Sequence, residues 1–221
     1  DRATGGVINL ITNKSGKPAA SFTSTVGSYG YKAADGYVAG SSGDFYFNTF
    51  AHSADANGWR QNGDTNQWSL SGRAGLCTTD QDTFVDYAIY RSENGLPSSI
   101  SSAAYRNHPR VARTPFDSQT KEGYRIRPGT NIKITDSLEF AAEFAFSNMK
   151  TYFNNPSFSS TSDREADTYA LTPRFKWSHG LAGLNSVSVV GYDYYRGKVD
   201  ADYNGNYANG AARQESNALY W

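Results

Sequence analysis

Residues 123–150 show the pattern that governs the whole chain. Tyr124, Ile126, Pro128, Thr130, Ile132 and Ile134 fall on one face of an extended chain, and Arg125, Arg127, Asn131 and Lys133 on the other. After Asp136-Ser137, the residues Leu138, Phe140, Ala142, Phe144 and Phe146 alternate with Glu139, Glu143 and Ser147. A period of two marks a strand, and two such runs across a short polar turn predict an antiparallel hairpin. Each run is about as long as the ~9–11 residues that a tilted strand needs to cross a bilayer. One face is apolar and the other is charged. In a soluble sandwich the apolar face is a core. In a transmembrane barrel it meets lipid, and the charged face lines a lumen. The hairpin fits both.

The connections separate the two readings. Further strands are predicted at 20–27, 32–40, 45–53, 67–77, 83–91, 165–177, 186–195 and 213–221. The turns 41–44, 78–82, 135–137 and 178–185 are short, whereas the loops 54–65, 92–121, 153–164 and 200–212 are long and alternate with them. Short turns at one end and long loops at the other are the asymmetry of outer-membrane barrels. A sandwich has no reason to gather its long loops at one end. Loop 92–121 is also longer than a compact soluble domain usually carries without a function. The fold class predicted is all-β: part of an antiparallel up-and-down transmembrane β-barrel, about ten strands in an open, curved sheet. The strands at 20–27 and 213–221 are expected not to pair with each other. Phe140, Phe144, Tyr169, Leu171, Phe175 and Trp177 are expected on the convex, lipid side. Arg73, Asp86, Arg125, Arg127, Lys133, Glu139, Glu143, Arg174, Lys176 and Asp193 are expected to face the lumen, mostly as structural ion pairs.

Composition narrows the function. The 221 residues carry 21 Lys and Arg against 21 Asp and Glu, so no bulk field draws the chain to nucleic acid. A mean hydropathy of −0.63, with no apolar run near 18 residues, excludes a helical membrane protein and leaves a barrel open. Aromatic residues are 14% of the chain, which suits the interfacial girdles of a barrel. A single cysteine, Cys77, excludes an intrachain disulfide framework. His52, His108 and His179 lie on different elements, without metal-ligand spacing. The sequence has no nucleophile elbow, P-loop or dinucleotide fingerprint. Glu139 and Glu143 would stand ~13 Å apart along a strand, too far for a glycosidase pair. No enzyme activity and no cofactor are expected.

The N-terminal stretch is the most motif-like. Gly5, Gly6, Val7, Ile8 and Asn9 are followed by Leu10-Ile11-Thr12-Asn13-Lys14. This resembles the TonB-dependent outer-membrane receptors, whose plug domain ends in Gly-Gly-Val-Ile-Asn-Ile-Ile-Thr-Lys just before the first barrel strand. Leu10 and the extra Asn13 depart from that form. The resemblance implies that 1–16 is the C-terminal end of a plug, and 17–221 the N-terminal part of a barrel of ~22 strands. The chain would then belong to something longer. It further implies the outer membrane of a Gram-negative bacterium, with outer-membrane lipid as surroundings. The implied task is import of a scarce nutrient, a ferric siderophore or similar metal chelate, driven by the TonB complex through a plug N-terminus that this sequence does not contain. A passive porin and a soluble carbohydrate-binding β-sandwich are the alternatives.

Two loops carry candidate binding residues. Tyr105, Arg106, His108, Arg110 and Arg113 place cations, an aromatic ring and an imidazole in the longest loop, a set able to meet an anionic substrate. Asp200, Asp202 and Asn204, followed by Gly205, match the opening of a calcium loop, but position 12 is Ala211 and not Glu. A turn-rich loop tip is the simpler reading of that stretch.

Overall fold

Alternating side chains leave the backbone N–H and C=O groups pointing sideways, where only a neighbouring strand satisfies them. The chain meets this demand with one antiparallel sheet of eleven strands. The computed structural model describes residues 17–181, 183–204 and 209–221. The strands are β1 (Ala19–Val26), β2 (Lys32–Ser42), β3 (Phe45–Ala56), β4 (Thr65–Cys77), β5 (Gln81–Gly95), β6 (Ser118–Lys133), β7 (Leu138–Asn155), β8 (Ser160–Leu171), β9 (Arg174–Leu181), β10 (Leu184–Asn204) and β11 (Gly210–Tyr220). Each pairs with its neighbour in sequence, except that β8 and β9 share the place between β7 and β10. Gly5, Gly6, Val7, Ile8 and Asn9 lie outside the described residues.

Two expectations need correction. The single strand expected at 165–177 is split, because Pro173 has no N–H to give to the ladder. The register nevertheless carries through the break: Leu171 stands opposite Phe144, and Phe175 opposite Phe140. Thr172 N–H donates to Glu143 O at 2.9 Å and Tyr192 N–H to Pro173 O at 2.9 Å, so both neighbours stay attached. The sheet thus has ten strand lines. The long loops are also shorter than expected. Loop 92–121 contracts to 96–117 and contains a short helix, α1 (Ser102–Asn107). Most of 153–164 is strand, with a bend only at Pro156–Phe158, and 200–204 continues β10. The reason is physical. At this end polar residues stand on both faces, with Asp163 and Glu165 on one and Ser162 and Arg164 on the other, so the period-two contrast fades while the hydrogen-bond ladder continues.

The register sorts the side chains into two faces. Asn48, Arg73, Asp86 and Arg127 stand in one row across β3 to β6. Phe144, Leu171 and Tyr194 stand in a row on the other face. The large residues of that apolar face are open: Phe144 is 41% exposed, Phe175 46% and Trp177 51%. On the ionic face Tyr46 and Phe84 are each only 3% exposed. Side chains converge on the inner face of a curved sheet and splay on its outer face. Glycines make room for the inner rings. A Cβ at Gly75 would come within 2.7 Å of the Tyr46 ring, and one at Gly129 within 2.5 Å of the Phe84 ring.

β1 pairs with β2 and β11 with β10, and the two outer strands do not meet. The sheet is open, as expected. Among the described residues, the connections at 43–44, 78–80 and 134–137 and the start of β10 at Leu184 lie at one end, and those at 27–31, 57–64, 96–117 and 156–159 and the start of β11 at Gly210 at the other.

Candidate functional site

The ionic face is built by register. β4, β5, β6 and β7 bring Arg73, Asp86, Arg127 and Glu143 side by side. Arg73 donates through Nε to Asp86 Oδ1 at 2.5 Å and through Nη2 to Oδ2 at 2.9 Å. Arg127 donates through Nε to the same Oδ2 at 2.8 Å, and its Nη2 bonds there too. The Arg127 Nη1 lies 3.3 Å from Glu143 Oε2. The Arg73 guanidinium also stacks 3.8 Å above the Phe84 ring. Charges alternate along the chain, and both oxygens of Asp86 are used. The Arg73 and Asp86 side chains are 8% and 15% exposed, so water screens their pair little.

Nearer the short turns the pairs are looser. Lys176 Nζ lies 3.2 Å from Glu139 Oε2. Lys133 turns to Asp136 at 2.9 Å, and this hydrogen bond holds the exposed Asp136 carboxyl below its ordinary value. Arg125, Arg174 and Asp193 share the face by alternation and enter no ion pair among the described residues. Asp35 and His52 meet on this face, with 2.7 Å between Oδ1 and Nδ1.

The long-loop end holds the other candidates. Ser101 caps α1 by accepting from the Ala104 N–H, and α1 carries Tyr105 and Arg106 on an exposed surface. His108, Arg110 and Arg113 follow, also exposed. The backbone that bears them is tied down. Arg60 donates to the carbonyls of Ser98 at 2.7 Å, Pro97 at 3.2 Å and Val111 at 2.9 Å. Asn62 Nδ2 donates to Thr114 O and Asp117 O, both at 2.7 Å. The Arg110 guanidinium sits 5.4 Å above the Tyr29 ring, and the Ser157 N–H donates to Asp117 Oδ1 at 3.0 Å. Four loops are therefore one connected network.

One constellation escaped the sequence reading. Phe153 on β7 and Tyr203 on β10 both stand opposite Ser162 of β8. Arg164, two residues along β8, lies with its guanidinium 5.5 Å from the Phe153 ring centre and 5.4 Å from that of Tyr203. Together with Asn155, Phe158 and Ser160 they line a recess of about 620 Å³. It occupies the ionic face at the long-loop end, ~33 Å along β7 from Glu143 at ~3.3 Å per residue. These residues fall in stretches that the sequence reads as loops, where no period of two marks a face. Pro156 was the available signal: pairing back from a tip there sets 153 against 162.

The three residues of the calcium expectation lie within the described strand β10. Asp200, Asp202 and Asn204 follow one another along its last five residues. Asp200 Oδ2 lies 2.5 Å from Lys198 Nζ. No group of three or more potential metal-binding His, Cys, Asp or Glu occurs among the described residues.

No family model matches the sequence, and no curated protein does. Solved structures do match. The ferric citrate transporter FecA, in its unliganded form, superposes with a TM-score of 0.74 at 14% identity, over 90% of this chain and 33% of its own. The alcaligin outer-membrane receptor FauA of Bordetella pertussis gives 0.76 at 14% identity, over 92% and 32%. The ferric preacinetobactin receptor BauA of Acinetobacter baumannii gives 0.73 at 13%, over 89% and 33%. At these identities the likeness is one of fold. The sheet has the architecture of outer-membrane receptor barrels, and the chain spans about a third of the length of the structures it matches.

Proposed function

We propose that this chain forms barrel wall of a TonB-dependent receptor in the outer membrane of a Gram-negative bacterium, and that the receptor imports a ferric siderophore or a similar metal chelate. The observation that carries the reading is the two-faced sheet. Its apolar face exposes a broad field of aromatic and aliphatic side chains, its opposite face buries an ionic chain, and its architecture is shared with outer-membrane receptors.

In this reading Phe140, Phe144, Tyr169, Leu171, Phe175 and Trp177 meet lipid. The row from Arg73 to Glu143 lines the lumen, where carboxylate and guanidinium groups satisfy one another and stiffen the wall. Residues 1–16 are the end of the plug that fills that lumen. The tied-down loops face outward and present Tyr105, Arg106, His108, Arg110 and Arg113 to the incoming chelate. The iron is cargo: no bond of the chelate is made or broken, and the energy comes from the TonB complex.

The test is uptake by cells expressing the full-length protein. Iron-55 delivered as a ferric chelate should accumulate, and a protonophore should abolish the accumulation. Uptake that persists after the protonophore would identify a passive pore and refute the proposal.

A further inference from the structure

The recess around Arg164 has a chemistry of its own. Its one formally charged lining residue is Arg164. The residues opposite Arg164 are Thr151 and Ala201, neither of them an acid. Asp163, next in sequence, falls on the other face by alternation. Among the described residues, the ion pairs of the sheet engage Arg73, Arg91, Arg127, Lys150, Lys176 and Lys198, but not Arg164. Its neighbours are instead the rings of Phe153 and Tyr203, close enough for cation–π attraction. Ring faces hold the planar guanidinium in place and leave its N–H fork available to an anion.

Resting on the receptor reading above, we infer that this recess is a subsite for a planar aryl anion with adjacent oxygens, such as the catecholate arm of a chelate. The ring would stack against Phe153, Phe158 or Tyr203, where flat apolar area is offered. The charged oxygens would meet Arg164, with the hydroxyls of Ser160 and Ser162 beside them. The volume of about 620 Å³ lies within the ~300–1,000 Å³ usual for small-molecule sites. An aliphatic hydroxamate arm has no ring to stack, and with one negative charge per bidentate arm it gives a ferric complex without the net negative charge that Arg164 would meet.

The experiment compares two probes on the intact, detergent-folded protein by calorimetry. One is the ferric complex of 2,3-dihydroxybenzoate, and the other is ferric acetohydroxamate. The aryl complex should bind about tenfold more tightly or better, as one charge-assisted contact plus stacking would give. Arg164→Ala should remove about that advantage, and Arg164→Lys should restore only part of it because the fork is lost. Phe153→Leu and Tyr203→Leu should each weaken the aryl complex selectively. Lys150→Ala, on the opposite face, should change nothing. The Arg164→Ala protein must still show the wild-type heat-dependent gel shift, and Tyr203→Leu tests the same subsite without touching the charge. Equal affinity for the two complexes overturns the inference, as does failure of the aryl complex to bind, or wild-type affinity in Arg164→Ala. Energy-dependent uptake of a hydroxamate complex alone would uphold the receptor and sink the subsite. Arg164-dependent aryl binding with protonophore-insensitive uptake would do the reverse.

Discussion

At the scale of single residues, Asp86 is the most constrained group on the sheet. Its two oxygens take two arginines, from β4 and β6. Asp86→Ala would leave the largely buried Arg73 beside Arg127 with no counter-charge between them. Removing one partner of a buried pair costs about 3–5 kcal/mol. The exposed pair of Arg91 with Glu93, at 2.6 Å, is different, because both side chains are 44% exposed or more. Glu93→Gln should cost about 0–1 kcal/mol. Urea unfolding of the full-length protein in one detergent compares the two directly, and similar losses would mean that water screens the Asp86 site after all. The membership of this face was legible in the sequence, because alternation assigns Arg73, Asp86, Arg127 and Glu143 to one side. The pairing was not. That Lys133 chooses Asp136 over Glu139 follows from turn geometry that no periodicity encodes.

At the scale of elements, the sequence revealed strands wherever one face was apolar and the other polar, as in β6 and β7. It understated them at the long-loop end, where polar residues stand on both faces and the contrast disappears. That is why Phe153, Arg164 and Tyr203 went unseen, and why Asp200 to Asn204 read as a loop. The loops in turn owe their order to a few side chains. Arg60 alone holds three carbonyls of loop 96–117. Arg60→Ala should leave global stability nearly unchanged and make the loop a protease target. Trypsin cleavage after Arg106 should accelerate several-fold, and an unchanged cleavage rate would show that the Asn62 bonds suffice. The strands themselves report their surroundings. Phe144→Arg, in the middle of the apolar face of β7, should cost about 2–4 kcal/mol in a bilayer. Asn131→Arg, on the ionic face opposite Asp82, should cost much less. Equal costs would argue for a sheet wet on both sides.

At the scale of the whole molecule, a single curved layer has no interior. The buried apolar residues among those described are only Ala33, Tyr46, Ala54, Phe84 and Ala112. Cohesion therefore rests on the ladder between strands and on whatever covers the apolar face. The ladder stops at β1 and β11, each with a partner on one side only. All eight residues of β1 are exposed, with Phe22 at 75% and Val26 at 80%, and on β11 Leu219 is 68% exposed. Such edges display unpaired N–H and C=O groups, which template pairing with any other strand. Barrels remove the hazard by closure. Closing these ten strand lines directly on one another would give a lumen narrow enough for side chains to fill, since barrels of about eight strands are already packed inside. That would leave no space for the plug proposed above. Residues 17–221 produced as an isolated polypeptide should therefore associate through β1 and β11 in detergent. Unheated samples should show no compact, fast-migrating band on a denaturing gel, and the apparent mass in size-exclusion chromatography should rise with concentration. A heat-sensitive compact monomer whose β1 amides resist hydrogen exchange would show that the two edges do meet, and would overturn the open-sheet account.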